Sequence, residues 1–368
     1  MSAGICRWGI LGTAGIARKN WMAIKHCENA QVSAVASRSQ ASAQRFIDEC
    51  SEQVPPMNSV EAVGSYQELL ERDDIDAVYI PLPTALRHEW VIKAAEAGKH
   101  VMGEKPAAIN ATQVAEMMDA CKSNGVQYMD GVMFMHSARL PVLRSLFDDP
   151  NNIGTLRRIA SGFSFAGDEE FQRSNIRTNS ELEPYGCLGD LGWYCSRMFM
   201  WILNGQLPLE VRARVLTPLQ GEGSPKSVPG EFSAELLFPN GVSASFYNAF
   251  ITENQQWIHA SGTKGNIRID DFVLPYHGPE IHAYLTRDEF AVENCIFHME
   301  HHQERLAAHE YDANMVNAQE TKLFSNFSDI AVSGKLDSQW PEWTLKTQKV
   351  LDACFESAQK DGQTVTLS

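Results

Sequence analysis

No stretch of this 368-residue chain approaches the ~18 consecutive apolar positions that a helix needs to cross a bilayer, so no membrane span is expected. The first residues carry no basic segment followed by a long apolar run, and no secretory leader is expected. The eight cysteines never form a Cys-x-x-Cys pair and their spacings are irregular, which argues against a disulfide framework. Free thiols in a reducing compartment, and hence a cytoplasmic protein, are the expectation. Basic residues are the minority: 31 Lys and Arg face 46 Asp and Glu, a net charge of -15. So acidic a surface disfavours nucleic acid and anionic membranes as partners. It leaves room for an anionic cofactor, because backbone dipoles bind phosphate locally. Internal repeats, low-complexity tracts, a P-loop, a Ser-His-Asp pattern and a nucleophilic-cysteine pattern are all missing. What remains is ordinary globular material, 44% apolar and 21% charged, and too long for one core.

The apolar pattern divides the chain near residue 132. Before it, short buried-strand runs alternate with helical stretches. Strand signals fall at 5–11, 31–36, 77–81, 100–102 and 126–129, and helical ones at 16–26, 39–50, 87–97 and 111–123. Gly98 and Asn124-Gly125 sit where helices end. Strands separated by such helices imply right-handed βαβ units and a parallel sheet. After it, strand-like alternation covers 156–165, 210–216, 231–238, 242–251 and 267–269. Asn240-Gly241 is a hairpin signal. A helix is expected over 344–360. The fold class is therefore α/β: a parallel sheet of βαβ units followed by an antiparallel sheet with helices packed on it. Residues 1–132 form the first domain and 133–368 the second.

The first strand runs into Gly12-Thr13-Ala14-Gly15-Ile16-Ala17. A dinucleotide turn needs glycine at the tight bend, a small residue against the pyrophosphate and another where helix meets strand. Gly12, Ala14 and Ala17 occupy those places as Gly-x-Ala-x-x-Ala; the second glycine is replaced, and Gly15 keeps the turn open. An ordinary strand–helix turn is the plain alternative. At the end of the second strand, where an NAD site carries Asp or Glu, the chain reads Ser37-Arg38. Serine and arginine can bind a 2′-phosphate that a carboxylate would repel. NADP(H) is thus preferred, with NAD(H) an open alternative, unless Arg38 is only a solvated loop residue.

Several motifs in order carry a resemblance: this turn, Pro83-Thr84 followed by His88, Glu104-Lys105-Pro106, Gly189-Asp190-Leu191-Gly192-Trp193-Tyr194, and Gly262-Thr263-Lys264-Gly265. Over nearly its whole length the chain resembles the glucose–fructose oxidoreductase, inositol dehydrogenase and rhizopine-catabolism (Gfo/Idh/MocA) family. Tyr194, four positions after Asp190, resembles the branch with dimeric dihydrodiol dehydrogenase and xylose dehydrogenases. The resemblance implies hydride transfer between nicotinamide and a sugar, a sugar-derived carbonyl or alcohol, or a cyclic diol. It implies an N-terminal Rossmann domain with a doubly wound parallel sheet, a C-terminal α/β domain with a large open antiparallel sheet, and a homodimer or homotetramer built on that open sheet. It adds Pro81, Leu82, Thr84, His88, Glu104 and Lys105 to the cofactor contacts of Gly12, Thr13, Ala14, Gly15, Ile16, Ser37 and Arg38. It places Lys105 at the reacting oxygen and extends to a cis Lys105-Pro106 bond. Two other activities occur among such proteins: transient oxidation by a tightly held NAD(P), and nucleotide sensing without catalysis.

The residue types suit hydride chemistry. Reduction of a carbonyl leaves an alkoxide that must gain a proton. A tyrosine beside a lysine can donate it, because the cation favours the phenolate, and the lysine can stabilise the oxyanion directly. Lys105, Tyr194 and Asp190 are the candidate catalytic group; Lys105, Arg177, Asp190 and Tyr194 are the candidate substrate contacts. Asp190 and Tyr194 would share a helix face. Each has a plainer reading: Asp190 as a helix cap, Tyr194 as core, Lys105 as a strand-end lysine, His88 as a cap or packing residue, Arg177 in an ion pair. His298, His301 and His302 read as a solvated helix face, since His-Met-Glu-His-His lacks the His-Glu-x-x-His order of zinc hydrolases, and no metal is expected.

Overall fold

The computed structural model describes residues 4–367, which divide into two compact units. The first takes the chain up to His136 together with Glu181–Pro184 and Ala313–Lys349; the second takes the rest.

In the first unit strands and helices alternate: β1 (Cys6–Leu11), α1 (Gly15–Lys25), β2 (Ala30–Ala36), α2 (Gln40–Gln53), β3 (Glu61–Val63), α3 (Tyr66–Leu70), β4 (Ala77–Ile80), α4 (Thr84–Glu96), β5 (His100–Gly103), α5 (Ala111–Ser123) and β6 (Tyr128–Asp130). The strands pair in parallel in the order β3-β2-β1-β4-β5-β6, the doubly wound order with its crossover between β1 and β4. Every residue of β4 is buried, as a parallel strand covered on both faces requires. Helix ends follow local chemistry. Ser39 and Asn110 cap α2 and α5 by accepting from Ser42 N and Gln113 N. Gly98 (φ 72°) and Gly125 (φ 65°) follow α4 and α5 in left-handed conformation.

The second unit contains α6 (Arg139–Asp148), β7 (Leu156–Ala166), α7 (Glu169–Ser174), α8 (Trp193–Ile202) and then a run of strands. These are β8 (Glu210–Leu219), β9 (Val228–Leu237), β10 (Ser243–Ala249), β11 (Ile251–Gly262), β12 (Asn266–Ile269), β13 (Glu280–Thr286), β14 (Glu289–Glu293), β15 (Ile296–Glu300) and β16 (Gln303–His309). With β17 (Val365–Thr366), they build a nine-stranded sheet, β16-β13-β12-β11-β7-β10-β9-β8-β17, leaving β14 and β15 as a separate ribbon. The sheet is antiparallel except where β10 runs parallel to β7, so it is mixed rather than purely antiparallel. Asn240 (φ 63°) and Gly241 (φ 74°) turn β9 into β10, with Leu237 opposite Ser243. The single strand predicted over 242–251 is two strands broken at Phe250, whose amide bonds to Gly230 O instead of continuing a ladder.

The chain then re-enters the first unit through α9 (Gln319–Ser333), an element the sequence pattern does not mark. Trp8 of β1 donates its indole N–H to Ser328 Oγ at 3.1 Å and packs its ring 5.2 Å from Phe324 and 5.1 Å from Phe327. The last helix, α10 (Gln339–Gln359), begins five residues before the sequence-based start at 344. Among the described residues no helix is long and apolar enough to cross a membrane.

All eight cysteines are free. Burial pushes the Cys6, Cys27 and Cys121 thiols up to about 12, and Cys195 to about 11. Cys295 alone is exposed. At pH 7.5–8 an aromatic disulfide reagent should therefore titrate a single fast thiol per native chain, lost in Cys295→Ser, and all eight after unfolding. Several fast native thiols would contradict this burial pattern.

Candidate active site

The turn after β1 is shaped by Gly12, whose φ of 116° strains any other residue. A Cβ there would lie 3.1 Å from Leu82 Cδ2, so Gly12 and Leu82 are close neighbours. Ala17 is fully buried where α1 crosses the sheet. A Cβ on Gly15 would meet nothing within 4 Å, so Gly15 faces open space. No side chain caps α1, and its first turn has no acidic residue. The positive end of the helix is thus uncompensated and suited to an anion. Thr13 and Ala14 are half-buried and Ile16 is exposed beside it. These residues fit a dinucleotide pyrophosphate.

At the end of β2, Ser37 is buried and its amide bonds to Val63 O, while Arg38 is exposed. Burial raises the pKa of the Tyr66 phenol, and the Arg38 charge opposes that shift. No carboxylate follows β2 before α2.

Beyond β4, Pro81 and Leu82 lead into α4. Thr84 is fully buried and donates its amide to Glu183 Oε1 at 2.9 Å and its hydroxyl to Glu183 Oε2. His88 meets Glu116 of α5, Nε2 to Oε2 2.6 Å. At the end of β5, Glu104 is buried and Lys105 half-buried, and the Lys105-Pro106 bond is cis. The Lys105 amide donates to Glu104 Oε2 at 3.3 Å.

Two residues absent from the sequence reading shape these loops. Arg87, buried, donates to Leu82 O at 2.7 Å and to Pro106 O, tying the ends of β4 and β5 together. Glu183 receives the α4 terminus. A buried arginine answering backbone carbonyls has no sequence signature. Glu183 lies 99 residues from Thr84, beyond any local pattern.

In the second unit Asp190 and Arg177 come together, Oδ2 to Nε 2.9 Å. Arg177 stands on a short 3-10 turn, Ile176–Thr178, capped by Asn175. The helix carrying Asp190 is not the regular one that the spacing suggests. Leu188–Gly192 is a π-turn leading into α8, so Asp190 and Tyr194 do not follow the i, i+4 rule of an α-helix. Asp190 makes an ion pair with Arg177, and no side chain caps that turn. Tyr194 is buried, with its ring 5.7 Å from Phe163.

The histidine cluster is not a helix face. His298 lies in β15, and His301 and His302 follow it in the link to β16. β15 pairs antiparallel with β14, and Phe297 packs its ring 6.0 Å from Phe290 across that ribbon. Glu289, Glu300 and His302 bring ligand atoms within 4.8 Å of one another, all exposed.

An uncapped helix after a glycine turn, at the carboxyl edge of a doubly wound sheet, defines the first unit as a dinucleotide-binding one. Models of the oxidoreductase family with NAD-binding Rossmann fold and of the GFO/IDH/MocA C-terminal domain match residues 6–132 and 144–268. The chain belongs to the GFO/IDH/MocA family and is an NAD(P)-dependent oxidoreductase. A dTDP-3,4-didehydro-2,6-dideoxy-alpha-D-glucose 3-reductase from Saccharopolyspora spinosa is 34% identical over 73% of this chain and 76% of its own length. A D-xylose 1-dehydrogenase (NADP(+)) from Haloferax volcanii is 28% identical over 96% and 97%. Among solved structures, a 3-ketoreductase from Actinomadura kijaniata in complex with TDP-benzene and NADP has a TM-score of 0.76 at 25% identity, covering 96% of this chain and 98% of that one.

Gly12→Ala should lower the unfolding free energy by about 1–3 kcal/mol, because alanine bears the φ of 116° in the folded state. Urea unfolding of the variant checks this; unchanged stability would show that the turn relaxes without glycine.

Proposed function

We propose that the protein is an NADP(H)-dependent oxidoreductase that moves hydride between nicotinamide and a carbon bearing oxygen on a sugar or cyclic polyol. The observation that carries this reading is the glycine turn and uncapped α1 beside a β2 terminus reading Ser37-Arg38, with no acidic residue at the ribose position. Residues 1–132 serve nucleotide binding, and 133–368 serve substrate binding and assembly into a homodimer or homotetramer. The NADP named in its relatives points the same way.

When bound, the nicotinamide supplies or accepts the hydride. Gly12, Thr13, Ala14, Gly15 and Ile16 hold the pyrophosphate by backbone amides. Ser37 and Arg38 hold the 2′-phosphate. Pro81, Leu82, Thr84, His88 and Glu104 line or support the remainder. In the reductive direction Tyr194 Oη gives its proton to the reacting oxygen, and Lys105 Nζ stabilises the negative charge that gathers there. In the oxidative direction the same phenolic oxygen takes the hydroxyl proton. Asp190, paired with Arg177, orients substrate hydroxyls by accepting from them, and Arg177 donates to substrate oxygens.

Turnover is tested with NADP and a panel of aldoses and cyclic polyols, D-xylose first. Tyr194→Phe should lower kcat by about 100-fold or more and change the NADPH Kd little; full activity would end the acid–base assignment. Arg38→Ala should weaken NADPH about tenfold and leave NADH unchanged, one charge-assisted contact being worth about 1.5–3 kcal/mol. Equal effects on both nucleotides would end the 2′-phosphate assignment.

A further inference from the structure

Three polar side chains stand in line through the core of the first unit and end on the backbone of Lys105. Asn20 of α1 donates its amide to Tyr79 Oη at 2.7 Å. Tyr79 of β4 donates its phenol to Glu104 Oε1 at 2.5 Å. The other Glu104 oxygen accepts the Lys105 amide. Asn20, Tyr79 and Glu104 are 5%, 0% and 9% exposed.

Such an array is costly as mere filling. A buried carboxylate loses its water, and an apolar side chain would occupy the space without that loss. The surroundings are fitted to it. A Cβ on Gly131 would lie 3.2 Å from Glu104 Oε1, a tight approach that would press on the carboxylate. The Tyr79 ring is held edge-on by Phe324 at 5.7 Å. Burial, reinforced by the Glu104 charge, raises the Tyr79 pKa well above its ordinary value, so this phenol stays protonated and remains a donor. Glu104 is also anchored by its own amide to Ile80 O at 3.2 Å.

We infer that Asn20, Tyr79 and Glu104 form a positioning chain for Lys105, running from the helix that follows the pyrophosphate turn to the end of β5. This rests on the reading of Lys105 as the residue that stabilises the reacting oxygen. None of the three needs to touch substrate. Tyr79 fixes one carboxylate oxygen, the second fixes the Lys105 backbone, and the direction of the Lys105 side chain follows. Displacements of an ångström at such a group are enough to slow turnover.

Tyr79→Phe removes only the oxygen and Asn20→Ala removes the far end of the chain. Turnover is measured per NADPH-binding site on the panel member that the wild type converts fastest, and hydrogen exchange is followed over residues 103–106. The expected result is a fall in kcat of about 10–100-fold for Tyr79→Phe and less for Asn20→Ala, with KM and NADPH Kd near wild type and faster exchange over 103–106. In Lys105→Ala, adding Tyr79→Phe should lower turnover no further. Unchanged kcat per site in both variants, or unchanged exchange over 103–106, overturns the inference. If Tyr79→Phe does not fold, Asn20→Ala carries the test. If Lys105→Ala keeps full turnover, the reading of Lys105 has failed; a dead Lys105→Ala beside fully active Tyr79→Phe removes the positioning chain alone.

Discussion

Parallel pairing of β1 with β2 on one side and β4 on the other governs where each loop of the candidate nucleotide site emerges. Leu11 lies opposite Ala36, Ile10 opposite Tyr79, and Ile80 opposite Gly103. The residues that follow each strand therefore leave the sheet at one edge: Gly12, Ser37, Pro81 and Glu104. The chain reverses its winding direction between β1 and β4, so the edge opens there instead of being filled by a crossover. A slip of one residue in any of these ladders would turn the buried strand faces over and move that strand's terminal loop.

That edge has few regular hydrogen bonds of its own, because loops cannot use a ladder. Side chains answer its backbone groups instead. Arg87 accounts for carbonyls at both Leu82 and Pro106, and Glu183 takes the amide and hydroxyl of Thr84. The carboxylate also sits at the positive end of α4, where it is favoured. α1 receives no such partner. The contrast is informative: one helix terminus at this edge is satisfied by the protein, and the other is available to phosphate. A net charge of -15 is no obstacle to an anion there, since amide dipoles at a helix terminus act over a few ångströms.

Local signals in the sequence were strong where the structure is local. The βαβ rhythm follows from alternating buried runs and capped helices, and Asn240-Gly241 announces its hairpin because both residues tolerate positive φ. The Gly12 turn is legible for the same reason. Elements set by distant partners were not. Nothing near β10 specifies that it runs parallel to β7, and nothing near α9 specifies that its phenylalanines meet Trp8. In the second unit, spacing suggests an α-helical face for Asp190 and Tyr194, while Gly189 and Gly192 accompany a π-turn that the spacing rule does not anticipate. Arg177 was open between substrate contact and ion pair, and its partner proved to be Asp190.

The Arg177–Asp190 pair shows how a mostly buried carboxylate is kept without leaving its charge uncompensated. Asp190 is mostly buried and Arg177 more than a third exposed, 13% against 39% at the side chain. The arginine thus partly offsets the desolvation of the carboxylate. A lysine could supply the charge but not the planar guanidinium that meets a carboxylate edge-on. The π-turn adds to this by displacing Asp190 from a regular helical position, so that it reaches Arg177 before α8 begins.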